Sequence, residues 1–89
     1  MKKEEVRTKV IDIVAEGFGR EIEKDKITEE TKLNEDLKFD ELDMVEFVMS
    51  LEEMLGMEIP DEDYDKYFYG HTVGSVIDYI VEKTKERTE

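Results

Sequence analysis

The sequence predicts an all-α fold, a small bundle of three main helices plus one short helix, with a long first loop. Three observations predict it. Apolar residues recur at helical spacing in three separate stretches. No stretch alternates apolar and polar residues as a strand would, and no internal repeat appears. Residues that start and stop helices stand at the ends of those stretches. At 89 residues the chain has room for one core, so residues 1–89 are read as one domain, with a core over about 4–82 and a charged tail at 83–89.

The first helix is expected over roughly residues 3–18, from the spacing of Val6, Val10, Ile13, Val14 and Phe18. Gly17 and Gly19 favour its end. Residues 20–40 offer Ile22, Ile27, Leu33, Leu37 and Phe39 as their sizeable apolar side chains, which predicts a long loop pinned at those anchors. A loop that long in a small domain tends to be functional. The second helix is expected from Asp40 to about Leu55, with Asp40 as N-cap and Asp43 three residues on completing the cap. Leu42, Val45, Val48, Met49 and Leu55 share one face, and Met44, Phe47, Leu51 and Met54 broaden it. Gly56 stops this helix, and Ile59-Pro60 imposes an extended link.

Asp61-Glu62-Asp63-Tyr64-Asp65 opens a short third helix, its acidic first turn matching the helix dipole. Tyr67-Phe68-Tyr69-Gly70-His71 reads as an aromatic loop, a partner contact or a lid over the bundle end, with at least one of Tyr67 and Phe68 packing on the bundle. Thr72 caps a last helix built on Val73, Val76, Ile77, Ile80 and Val81. The charged tail is expected to fray.

Hydrophobic residues make up 38% of the chain and charged residues 44%; the periodicity of the former argues for a folded domain over disorder. The net charge is −13, and residues 29–65, with fifteen acidic and two basic side chains, carry all of it. The flanking segments are each neutral. Such a field repels nucleic acid and anionic membranes and steers basic protein surfaces toward this segment. A scattered acidic excess would be read as solubility; one confined to a segment favours a docking face.

Several chemistries are excluded. Cysteine is absent, so no disulfide or thiolate chemistry arises. Asp61-x-Asp63-x-Asp65 begins like a calcium loop, but Lys66 stands where glycine is required and Thr72 where glutamate is required. Weak divalent binding as charge relief is expected at most, at Glu35, Asp36, Asp61 and Asp63. His71 has no companion ligand for zinc, and no catalytic triad or glycine-rich phosphate loop is present. A non-enzyme is expected. No segment approaches the length of a membrane span, and the charged N-terminus lacks a signal peptide's apolar core, so the expected location is the cytoplasm.

Four stretches carry a family resemblance: Leu33-Asn34-Glu35-Asp36-Leu37; Asp40-x-Leu42-Asp43-x-Val45-Glu46; Val48 to Glu53 running into Glu58-Ile59-Pro60-Asp61-Glu62; and Thr72-Val73 with Ile77-Asp78-Tyr79-Ile80. In this order they resemble the acyl carrier proteins across most of the chain. The resemblance implies a site at the start of the second helix, where an Asp-Ser-Leu triplet carries phosphopantetheine. There are three departures. The serine position holds Glu41; Lys38 and Phe39 replace small residues or glycine; and the Tyr67–His71 connection is about three residues longer and bulky. Ser50 lies two to three turns further along the second helix, Ser75 opens the last helix, and Thr31 and Thr72 have no motif around them, so none is expected to take over.

A carboxylate forms no phosphodiester, so no cofactor is expected unless Glu41 is restored to serine. The structural reading of Glu41 is a carboxylate that suits a helix N-terminus. The sharper reading is a permanent mimic of the charge that the arm's phosphate would bring. The resulting expectation is a monomeric, non-catalytic docking module. Asp40, Leu42, Asp43, Met44, Val45, Glu46, Met49, Glu53 and Asp61 would meet basic patches of synthase-type or transferase enzymes, without nucleic acid or membrane. The alternatives are a true carrier of fatty-acid or polyketide-type synthesis with its serine changed, and an acidic mimic of nucleic acid.

Overall fold

The computed structural model describes residues 2–16 and 23–86. Within them the chain forms helices α1 (Lys3–Glu16), α2 (Glu41–Leu55) and α3 (Val73–Glu86), with a 3₁₀ turn at Lys24–Lys26 and a π-helical turn at Tyr64–Phe68. The all-α bundle of three main helices and one short one is therefore the observed fold. The tail expected to fray from Lys83 instead continues α3 to Glu86, because Thr84 is buried and its hydroxyl donates to the Ile80 carbonyl (2.9 Å). The expected extension of α1 to Phe18, its glycine stop at Gly17 and Gly19, the Ile22 anchor and residues 87–89 lie outside the described residues.

Helix α1 packs chiefly on α3 and less on α2. Val6, Val10 and Val14 are fully buried, Ile11 and Ala15 nearly so, and Ile13 sits at the edge of the core. The long loop is pinned as its apolar pattern predicts, with Ile27, Leu33, Leu37 and Phe39 all buried. Backbone bonds then stitch it to the start of α3. Leu33 N–H donates to the His71 carbonyl (3.0 Å), Val73 N–H to Thr31 (2.8 Å) and Gly74 N–H to Glu29 (2.8 Å). A Cβ on Gly74 would stand 2.9 Å from the Glu29 carbonyl oxygen, so this close approach requires glycine.

Both ends of α2 follow from local chemistry. Asp43 N–H donates to the Asp40 carboxylate at 2.8 Å and Asp40 N–H donates back to the Asp43 carboxylate at 3.2 Å, a reciprocal cap. Gly56 ends the helix in the left-handed region at φ 65°, as its C-terminal glycine predicts. Thr72 caps α3 by accepting from Ser75 N–H (3.2 Å).

The face of α2 requires a correction. Met44, Phe47, Val48, Leu51 and Leu55 form its buried side, whereas Leu42, Val45 and Met49 stand 65%, 40% and 59% exposed. The residues expected to lead the apolar stripe are mostly outside, and those expected to broaden it make the core. Nine apolar positions wrap so far around this helix that periodicity could not rank its faces.

In the Tyr67–His71 stretch the loop reading is corrected, while the expected packing of at least one of Tyr67 and Phe68 is met by Phe68. Tyr67 and Phe68 belong to the π-helical turn, closed by Tyr69 N–H donating to the Tyr64 carbonyl at 2.7 Å. A π turn places more residues per turn and so absorbs extra chain length within a helix. Phe68 points inward and is fully buried, while Tyr67 stays 39% exposed. Phe68 meets Phe47 and Tyr79 edge-on, at ring-centroid distances of 6.3 and 5.3 Å, and Phe47 meets Phe39 at 5.7 Å. This aromatic run crosses the bundle and joins the loop, α2, the π turn and α3.

Candidate functional site

The start of α2 is positioned from three sides. Below it, Phe39 is buried against Phe47 and anchors the entering chain. Asn34 ties that chain to the far connection: its amide donates to the Phe39 carbonyl (2.8 Å) and its carbonyl oxygen accepts from Gly70 N–H (2.6 Å). The reciprocal cap then fixes Asp40 and Asp43. Glu41, the first residue of the helix, is thereby left exposed at its tip.

A groove of about 380 Å³ opens beside Glu41, lined by Met44, Val45, Tyr64, Asp65 and Tyr69 as well. A broader one of about 800 Å³ runs along the other half of α2, past Glu46, Met49, Ser50, Glu52, Glu53 and Met57. Leu42, Val45 and Met49 give this surface apolar area, and acidic side chains frame it. Glu41, Glu46 and Glu53 have no ion-pair partner among the described residues. On the α1 side, by contrast, charges are matched: Lys3 and Arg7 each lie 3.7 Å from Glu29, and Lys24 lies 2.9 Å from Asp12. The negative field is thus left uncompensated on the α2 face and neutralised behind it.

Of the residues expected to meet partners, Asp40, Glu41, Leu42, Val45, Glu46, Met49, Glu53 and Asp61 are exposed and Asp43 is half-buried. Met44 is the exception. At 3% exposure it is a core residue whose edge reaches the groove wall, so it offers a partner almost no surface. Tyr64, Asp65 and Tyr69 line the groove and were missed. The aromatic run at 67–69 was a signal for Tyr69 alone.

The four carboxylates considered for divalent ions are not gathered into a site. Asp36 accepts from Lys32 N–H (2.8 Å), Glu35 lies near the Lys32 amine (3.4 Å), and Asp63 accepts from the Tyr79 hydroxyl (2.6 Å). Among the described residues no three metal-ligating side chains converge. Ser50 is exposed on the third turn of α2, away from its tip along the helix, and Ser75 is half-buried at the start of α3.

The Tyr79–Asp63 bond pins the π turn to α3. Burial first, then donation to Asp63 and its negative charge, push the Tyr79 phenol well above its ordinary value of 10. Burial also raises Tyr64, with help from Glu52 and Asp61. The raised Tyr79 value means that its contribution to stability is complete below the unfolded phenol's pKa and fades as pH climbs beyond it. The parent's urea midpoint should accordingly fall more steeply above pH 10 than that of Tyr79→Phe. Parallel curves for the two would show that this hydroxyl is not held protonated by the fold.

The described residues thus form an all-α bundle whose second helix carries a capped, exposed acidic tip and carboxylates without ion-pair partners among those residues. The phosphopantetheine attachment site family matches residues 8–80. The chain is 45% identical to the acyl carrier protein of Chlorobium luteolum over 83 residues, covering 93% of this chain and 100% of that protein. It is 42% identical to that of Lactobacillus acidophilus over 80 residues, covering 90% and 94%. The solved acyl carrier protein from Enterococcus faecalis superimposes with a TM-score of 0.73 at 41% identity, over 92% of this chain and 98% of that one. The chain belongs to the acyl carrier protein family of phosphopantetheine-attachment domains.

Proposed function

We propose that this domain is a non-catalytic docking module of the acyl carrier family that, as its sequence stands, carries no phosphopantetheine. It engages synthase-type or transferase enzymes whose docking surfaces are basic. One observation carries this reading: the residue at the exposed, capped tip of α2 is Glu41, inside the uncompensated acidic face. The exposed Leu42, Val45 and Met49 supply contact area, and Glu46 and Glu53 supply steering and register.

The chemistry explains the loss of the arm. With coenzyme A as donor, a serine Oγ attacks the pyrophosphate phosphorus next to pantetheine. The bond to the adenosine bisphosphate breaks, that group departs, and the hydroxyl proton is released. The product is a phosphodiester. A carboxylate attacking the same phosphorus would give an acyl–phosphate anhydride, which water cleaves. The Glu41 carboxylate instead rests at a helix N-terminus, worth about 0.3–1 kcal/mol.

The test is intact-mass measurement after incubation with a phosphopantetheinyl transferase and coenzyme A. The parent chain is expected to keep its mass, and Glu41→Ser to gain one phosphopantetheine arm. A stable gain on the parent chain would overturn the loss of carriage. Failure of Glu41→Ser to be modified would place the departure elsewhere in the recognition surface.

A further inference from the structure

Lys38 stands three residues before Glu41, and its backbone is disfavoured there. Its backbone is in the left-handed region at φ 62°, the one non-glycine residue so placed among the described residues. An L side chain with a Cβ is strained in that region, which glycine occupies freely. Its positive charge stands amid Asp36, Asp40 and Glu41 in the chain. Lys38 is exposed, and its side chain makes no ion pair or hydrogen bond among the described residues. Lys32, the other cation of the strongly acidic 29–65 segment, is engaged with Glu35.

The backbone conformation of this exposed, unpaired residue is one that glycine or asparagine would adopt with less strain. Strain retained in this way points to use at a surface. We infer that Lys38 is a partner-selecting residue: it disfavours docking by uniformly basic surfaces and fits a basic surface interrupted by a carboxylate opposite residue 38. The inference rests on the docking reading above and sharpens its partner class. Specificity here comes from a repulsive element set within an attractive face.

The probe is a phosphopantetheinyl transferase chosen for a docking surface that carries lysine and arginine and no acidic residue. Its modification of an ordinary acyl carrier protein is measured with the present chain, Lys38→Arg, Lys38→Asn, Lys38→Gly and Lys38→Glu as competitors. Inhibition constants should follow charge. Lysine and arginine should be weakest, asparagine and glycine intermediate, and glutamate strongest, with roughly a three- to tenfold span from lysine to glutamate at low salt. The span should shrink as salt rises. An order that follows backbone strain, with glycine and asparagine together above lysine, arginine and glutamate, would overturn the inference. So would constants within twofold of one another, or no inhibition by any of the chains. A variant with Glu46→Lys and Glu53→Lys separates the two readings. If it inhibits less than the parent while the Lys38 series stays flat, docking stands and selection by Lys38 fails. A stable mass gain on the parent chain in the same reaction would reject only the loss of carriage.

Discussion

Phe68→Ala is expected to lower the unfolding free energy by about 3–5 kcal/mol, the usual cost of removing a buried phenylalanine ring. Phe68 is fully buried and touches Phe47 and Tyr79 edge-on, with Tyr64 tilted beside it at 6.4 Å. Removing the ring leaves a cavity where the π turn, α2 and α3 meet. Domains of ordinary stability have about 5–15 kcal/mol in total, and small ones bury proportionally less surface. The loss therefore consumes a large part of what holds this chain folded. Urea unfolding followed by circular dichroism measures it. Phe68→Leu, which keeps most of the volume, should cost much less. A loss below about 1 kcal/mol for alanine would mean that the π turn peels away without disturbing the core.

Reversing Glu46 and Glu53 together to lysine is expected to weaken docking on a basic transferase by roughly 10–100-fold at low salt. Both side chains are exposed and free of ion pairs among the described residues, so the fold should be indifferent to the change. Four units of charge are altered at the centre of the uncompensated face. Electrostatic steering and register both suffer, and the loss should diminish steeply as ionic strength rises. The inhibition constant against modification of an ordinary acyl carrier protein reads the effect. An unchanged constant at low salt would show that the acidic face is not the docking surface.

Much of this architecture was legible because it is set within a few residues of chain. The Asp40–Asp43 cap, the Gly56 stop, the Thr72 cap and the loop anchors Ile27, Leu33, Leu37 and Phe39 each rest on local backbone preference or on plain hydrophobicity. Glu41 was legible in the same way, as an acidic residue directly after a helix cap. The site's other wall was not. Tyr64, Asp65 and Tyr69 reach the groove through a π turn, and no local pattern separates such a turn from an aromatic loop. The left-handed backbone of Lys38 was hidden because lysine carries no turn signature.

The sequence by itself determined an all-α bundle, both ends of α2, the start of α3, a strongly negative middle segment and a carboxylate at the tip of α2. These depend on residue type and near neighbours. Only the tertiary structure separated the apolar residues of α2 fully. Leu42, Val45 and Met49, which the sequence places both in the apolar stripe and at the partner face, stay exposed. Met44, placed at that face too, is buried with Phe47, Val48 and Leu51 by packing against the other helices. Packing also chose Phe68 over Tyr67 to turn inward, and among the described residues it left Glu41, Glu46 and Glu53 without the cations that neutralise the opposite side. Packing joins residues far apart in the chain, and no short window of sequence contains that information.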